Sequence, residues 1–414
     1  MFKTLRSSVR FRRFRLGRTT RQLERAANIA DLRVMAKQRL PGGVFDYIDG
    51  AAEDERTLAR NANAYTDYEF VPRVLRDVST IDTSTMLLGK EISFPFVLAP
   101  TGFTRIAHSQ GELAVARAGQ RAGIPYTLST LGTRSIEEVA EVNTASKWFQ
   151  VYVWKDRGLV TEMIDRAAAS GYETLCITVD LAVFGRRERD VRRGFTLPPK
   201  VGLDTIVDAV RRPSWTADFL RGGPIRFASV ATRNSDGNIG DGAEAVSLAE
   251  FTTAQLDASL SWSDLEQFRD QWDGPIVIKG IQCVEDALIA ADLGMNGLAL
   301  SNHGGRQLEG SPAPVALLPH VAEAVGDRVE LICDGGIRRG SDIVKAVALG
   351  ATAAMGGRAY LYGLGAAGER GVDTAIGFLR SEYERCLALN GITSTADIHP
   401  SMVTPAAGRT ATLT

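Results

Sequence analysis

Histidine is scarce in this chain, with four in 414 residues, at positions 108, 303, 320 and 399. Cysteine is as rare. Residues 176, 283, 333 and 386 are scattered without CxxC or CxxxH spacing, which disfavours a metal cluster and fits reduced, structural thiols in a cytosolic protein. No stretch approaches the ~18 uninterrupted apolar residues that span a bilayer. No apolar h-region follows the first basic residues, which argues against a secretory signal. A strand–GxGxxG–helix unit with a downstream acidic residue is also missing, which disfavours a dinucleotide-binding Rossmann domain. What is present is ordinary for a protein with a large core: 44% hydrophobic and 23% charged residues.

The net charge of -1 conceals an uneven distribution. Residues 1–25 hold nine basic side chains (Lys3, Arg6, Arg10, Arg12, Arg13, Arg15, Arg18, Arg21 and Arg25) against Glu24 alone, so an arm of net +8 precedes an acidic body. Three readings of the arm stay open. It is a solvated flexible tail, an organellar presequence, or a segment that adsorbs to an anionic membrane surface through its charges and the interleaved Phe2, Leu5, Phe11, Phe14 and Leu16. Nucleic acid is not an expected partner, because the acidic body would be repelled.

Past residue 90, short apolar runs alternate with segments of helical period. The expected strands are 94–99, 126–129, 148–153, 174–179, 275–279, 297–300, 329–333 and 352–355; the intervening helices include 111–122, 159–169, 263–272, 284–293 and 341–349. Strands alternating with helices pair in parallel through right-handed crossovers, and eight such units close into a TIM (β/α)8 barrel. Two segments fall outside the repeat. Residues 28–90 form an N-terminal extension with a helix over 31–38, and 198–258, rich in Gly, Ser and Asp, form a long lid-like insertion after the fourth strand. The expected organisation is therefore an arm (1–27), a catalytic domain (28–390) and a C-terminal tail (391–414).

Each expected strand ends in a group that can hydrogen-bond or carry charge: Pro100-Thr101-Gly102, Ser129, Gln150 and Tyr152, Thr178 and Asp180, Lys279, Ser301 and His303, Asp334-Gly335-Gly336, and Gly357-Arg358. In a barrel these ends share one face, the face where barrel enzymes place their active sites. The glycines after strands seven and eight, with Arg338 and Arg358, suit a phosphate. A phosphate-tailed cofactor at the barrel mouth is then FMN or pyridoxal phosphate, with Lys279 a possible Schiff-base lysine in the second case. Ser301-Asn302-His303-Gly304-Gly305-Arg306-Gln307 adds an imidazole that can take a proton and a guanidinium that can hold a carboxylate in a two-pronged ion pair, which fits flavin oxidation of a 2-hydroxy acid better.

With that heptad, Phe45-Asp46-Tyr47, Ala99-Pro100-Thr101-Gly102, Phe149-Gln150-Val151-Tyr152, Thr178-Val179-Asp180, Gly185-Arg186-Arg187-Glu188, Lys279-Gly280 and Asp334-Gly335-Gly336-Ile337-Arg338-Arg339-Gly340, the chain resembles the FMN-dependent 2-hydroxy acid dehydrogenase/oxidase family from about residue 28 to 390. The resemblance implies His303 as catalytic base and Asp180 as the carboxylate that holds it. It implies a substrate-carboxylate clamp of Arg306 and Tyr47, with Tyr152 on the substrate oxygen and Arg187 at the mouth. Lys279 would stand beside the flavin N1–C2 carbonyl, with Ser129, Gln150, Thr178 and the Pro100–Gly102 backbone around the ring and Ser301 and Asp334 also binding the cofactor. Gly335, Gly336, Arg338, Gly357 and Arg358 would take the phosphate. Leu131 stands where glycolate oxidases carry tryptophan, and Gly102 where the family's oxidases tend to carry alanine. The pattern is most similar to the bacterial L-lactate dehydrogenases. That implies oxidation of L-lactate to pyruvate, a quinone or another electron acceptor, a homotetramer, no metal, and a cytoplasmic enzyme able to sit on the inner face of the membrane.

Overall fold

In the computed structural model, which describes residues 17–193, 203–230 and 254–406, eight parallel strands close into a barrel. They are β1 (Phe96–Leu98), β2 (Tyr126–Ser129), β3 (Lys147–Tyr152), β4 (Thr174–Thr178), β5 (Ile276–Ile281), β6 (Gly297–Ser301), β7 (Glu330–Asp334) and β8 (Ala353–Gly356). Each pairs with the next, and β8 returns to β1. The TIM barrel expected from the sequence is the observed fold.

Alternation along the strands explains where the chemistry sits. Successive side chains face opposite sides of a strand. Phe149, Val151, Leu175, Ile177, Ile276, Ile278, Leu298 and Leu300 pack outward into the main core beneath the helices. Val97, Trp148, Cys176, Val277, Ala299, Ile332 and Ala353 make a separate apolar cluster inside the barrel. Two residues further along, the inward positions turn polar: Gln150, Thr178, Lys279, Ser301 and Asp334, all buried. A hairpin of Thr85–Leu87 and Lys90–Ile92 adds Leu87 and Ile92 to the inner cluster and plugs its far end. Its two-residue loop has both φ angles positive (Leu88 50°, Gly89 78°), the primed-turn geometry that follows strand twist.

Helices Gly111–Ala122, Arg157–Ala169, Val284–Asp292 and Gly340–Ala348 lie where the helical period places them. The expected helix over 263–272 is instead a 3-10 turn, Trp262–Leu265, running into Glu266–Gln271. There the Ser261 N–H and hydroxyl both donate to Asp264 and start the turn early. Helix Pro314–Val325 contains Pro319, which masks it from a sequence reading.

The N-terminal extension folds as helices Ile29–Arg39, Gly42–Asp49 and Arg56–Asn63. Of the basic arm, Arg18–Leu23 is a helix that buries Leu23; residues 1–16 lie outside the described residues. Near the other end, Val403–Pro405 pairs antiparallel with Tyr68–Phe70. The described part of the insertion carries helices Leu203–Val210 and Pro213–Arg221. It is fastened to the loop after β1. Trp215 Nε1 donates to the Ile106 carbonyl (2.7 Å), Asp218 accepts from Ser109 N (2.9 Å) and Oγ (2.6 Å), and Arg105 donates to the carbonyls of Gly222, Gly223 and Pro224. Residues 198–202 and 231–253 of the expected lid lie outside the described residues. Among the described residues, no helix is long and apolar enough to cross a membrane.

Candidate active site

The C-terminal mouth of the barrel opens into a cleft whose free space, counted to its open rim, is about 1280 Å³. Its walls carry Tyr47, Pro100, Thr101, Gly102, Tyr152, Arg187, Lys279, His303, Arg306, Asp334, Gly335, Gly336, Arg338, Gly357 and Arg358. Ser129, Gln150, Thr178 and Ser301 are buried behind these walls, and the Asp180 side chain is 2% exposed behind His303. The structure thus brings the residues expected from sequence to one place.

His303 Nδ1 lies 3.1 Å from Asp180 Oδ1. Burial draws the imidazolium below the usual histidine range, and the opposing pull of Asp180 is too weak to reverse it. The ring is therefore neutral at neutral pH, with Nδ1–H donating to Asp180 and Nε2 left as acceptor. Asp180 itself is held below the usual carboxylate range: burial pushes it up, but His303 and Lys279 outweigh burial. The close approach of β4 and β5 here requires Gly280. It has φ 116° at a break in strand register, and a Cβ would stand 2.8 Å from that of Asp180.

His303 adopts a left-handed backbone (φ 59°), followed by Gly304 (64°) and Gly305 (77°). Such a conformation at a non-glycine residue costs about 1–3 kcal/mol. The loop is held against that strain from two sides. Ser301 Oγ accepts the His303 N–H (3.1 Å), and the Asn302 side chain accepts from Gly305 N (3.0 Å) while exchanging hydrogen bonds with Asn61 (2.7 and 2.8 Å). Asn61 carries no motif around it, and only the fold reveals its place. Gln307 closes the other side: its amide donates to the carbonyls of Asp180 (3.1 Å) and Val183 (2.9 Å) and accepts from Gly185 N (3.2 Å).

Lys279 Nζ lies 2.8 Å from Asp334 Oδ2 and donates to Ser301 Oγ at 3.0 Å, and that hydroxyl donates to Asp334 (2.8 Å). Burial alone would lower its pKa, but Asp334 and Asp180 outweigh burial and hold the ammonium above the usual lysine range. A buried ammonium ion-paired with Asp334 suits a fixed cation better than the free amine that the pyridoxal phosphate alternative needs.

Arg187, Arg306, Arg338 and Arg358 converge on the cleft, and none makes an ion pair among the described residues. Burial and the neighbouring Arg306 bring Arg187 down to about 10, and its Nε has no partner. Arg358 falls to about 9 through burial, with Arg306 and Arg338 opposing its charge as well. Arg358 donates to the carbonyls of Ile48 (3.0 Å), Gly304 (2.8 Å) and Gly50 (2.7 Å). Arg306 donates to Tyr47 O (2.6 Å) and Gly50 O (3.1 Å), with its guanidinium 4.9 Å from the Tyr47 ring centroid. Concentrated positive charge of this kind calls for anions.

The residues fit FMN on three counts. Among the described residues, Gln150 Nε2 and Thr178 Oγ1 are buried without hydrogen-bond partners, the four arginines make no ion pair, and the glycine loop after β7 is tight. At Gly336 (φ 79°) a Cβ would fall 1.9 Å from the Asn61 carbonyl oxygen, so only glycine keeps that turn. Sequence reasoning missed the apolar side of the cleft, where Ile106, Phe184 and Phe227 stand.

The chain matches the family described as FMN-dependent dehydrogenase over residues 36–405. It is 45% identical over 397 residues to a putative L-lactate dehydrogenase of Mycobacterium tuberculosis, covering 96% of this chain and 93% of that one. It is 40% identical over 378 residues to an L-lactate dehydrogenase of Caulobacter vibrioides (91% and 97%). The crystal structure of the monotopic membrane protein (S)-mandelate dehydrogenase superposes with a TM-score of 0.87 at 37% identity, covering 92% of this chain and 99% of that one. A His–Asp pair opening on a barrel mouth with arginines that make no ion pair among the described residues is what such an enzyme needs, and the chain belongs to the FMN-dependent dehydrogenase family as an oxidoreductase acting on the CH–OH group of a 2-hydroxy acid.

Proposed function

We propose that this enzyme oxidises L-lactate to pyruvate and passes the electrons to a quinone or another acceptor rather than to O₂. The observation that carries the reading is His303 hydrogen-bonded to Asp180 and opening on the same cleft as Arg306 and Arg187. The arginines, with Tyr47, hold the substrate carboxylate. His303 Nε2 then takes a substrate proton, and Asp180 stabilises the imidazolium that forms. Tyr152, with its phenol held well above the usual tyrosine range chiefly by burial, stays protonated and donates to the substrate oxygen. FMN, when bound, would take up the two electrons together with the substrate's second hydrogen. Gln150, Thr178, Ser129 and the Pro100–Gly102 backbone would hold its ring, Lys279 would supply positive charge beside it, and Gly335, Gly336, Gly357, Arg338 and Arg358 would hold its phosphate.

The names of the relatives and the presence of Gly102 and Leu131 favour lactate and a non-O₂ acceptor. Flavin absorbance near ~450 nm should bleach on anaerobic addition of L-lactate and recover faster with a quinone analogue than with O₂. Faster recovery with O₂, or bleaching only by another hydroxy acid, overturns that choice. A homotetramer, and contact of residues 1–25 with an anionic membrane face, belong to the same proposal. Sedimentation velocity and vesicle co-sedimentation with and without residues 1–16 test them.

Arg358→Ala should weaken FMN binding by about 1–3 kcal/mol, the range for a charge-assisted hydrogen bond. The purified variant should be pale and partly restored by added FMN. Full flavin occupancy would remove Arg358 from the phosphate site.

A further inference from the structure

The insertion brings an aromatic side chain into the cleft. Phe227 is 3% exposed and lies among the residues lining the free space. Its ring meets Phe103 edge-on at 4.4 Å between centroids, and Phe103 meets the Tyr47 ring edge-on at 6.2 Å. An unbroken aromatic wall therefore runs from the carboxylate clamp to the insertion. Phe103 holds a left-handed backbone (φ 56°) in the loop after β1, and Leu131 stands beside that loop, packed against Gly102.

Phe227 stands three residues beyond a well-anchored turn. The turn just before it is gripped by Arg105 through three backbone carbonyls, and helix Pro213–Arg221 is locked to the same β1 loop through Trp215 and Asp218. Phe103 and Arg105 belong to one loop, so the wall and its anchor move together.

Resting on the hydroxy-acid reading above, we infer that Phe227 is a specificity-determining residue: it limits the length of the apolar side chain that a 2-hydroxy acid can carry beyond C2. With the carboxylate at Tyr47 and Arg306, a substituent on C2 has the polar His303 and Tyr152 on one side and the Phe103–Phe227 wall on the other. A methyl group fits within that wall, whereas a branched or aromatic substituent meets the Phe227 ring. One methylene in an apolar pocket discriminates by roughly 10–200-fold, so a wall of this size is enough to order a substrate series.

The test compares kcat/KM for L-lactate, L-2-hydroxyisocaproate and L-phenyllactate in the FMN-loaded parent, Phe227→Ala and Phe227→Leu. The ratio of each bulky acid to lactate should rise at least ~10-fold in Phe227→Ala and less in Phe227→Leu, with flavin content unchanged. An unchanged ratio in variants that keep their flavin overturns the assignment and leaves Phe227 a packing residue. Should Phe227→Ala lose flavin or fold, Phe227→Leu decides by the same ratio. Failure of the underlying reading looks different: the parent flavin then bleaches with none of the three acids.

Discussion

Replacing His303 with glutamine is expected to slow flavin reduction by ~10²–10⁴-fold, the usual worth of a positioned general base, with FMN retained. Glutamine keeps a polar side chain of similar reach but cannot accept a full proton at neutral pH. The measurement is flavin bleaching in a single anaerobic turnover, and a parent-like rate would remove His303 from the chemistry. The pH profile supplies a second signature. Burial lowers the pKa of His303, so the neutral, competent form persists below the ordinary histidine value of about 6.5 and the rate falls as pH drops through the lowered value. Asp180 opposes that lowering. Asp180→Asn should therefore slow reduction and also move the acid limb to lower pH. A shift to higher pH would mean that Asp180 does not act through the imidazole.

Arg306→Lys should lower kcat/KM for the hydroxy acid by at least ~10²-fold with FMN retained, although the charge is conserved. The guanidinium uses one nitrogen on the carbonyls of Tyr47 and Gly50 and lies over the Tyr47 ring, which fixes its plane and leaves its other N–H groups for a carboxylate. An ammonium cannot hold those anchors and grip two carboxylate oxygens together. Parent-like turnover of lactate by the variant would reduce Arg306 to a loop fastener for helix Gly42–Asp49.

How much of this was legible in the sequence follows from distance along the chain. The eight strands are legible because buried parallel strands are short apolar runs between helical segments. Their polar ends are legible because a buried lysine such as Lys279 has no reason to end such a run without a partner. The heptad around His303 is legible because its residues are consecutive. Asn61 is not: it meets Asn302 across 241 residues of sequence, and an isolated asparagine in a helix carries no signal of that contact. Phe227 is hidden for a related reason. It lies in a Gly- and Ser-rich insertion that reads as a lid, and only its ring contact with Phe103 shows that this stretch is part of the wall. Helix Pro314–Val325 is obscured by Pro319 in its second turn, a residue that ordinarily breaks a helix interior.

The separation of the barrel interior into two layers has an evolutionary consequence. The apolar layer of Trp148, Cys176, Val277 and Ile332, joined by Leu87 and Ile92 of the hairpin, is a packed cluster distinct from the polar layer above it. Side chains at the rim can then be exchanged while the layer that secures folding stays untouched. Leu131, Phe103 and Phe227 sit on loops or on the insertion, outside the barrel strands. On the reading of Phe227 given above, substitutions at such positions change which hydroxy acid is accepted while His303, Asp180 and Arg306 stay in place.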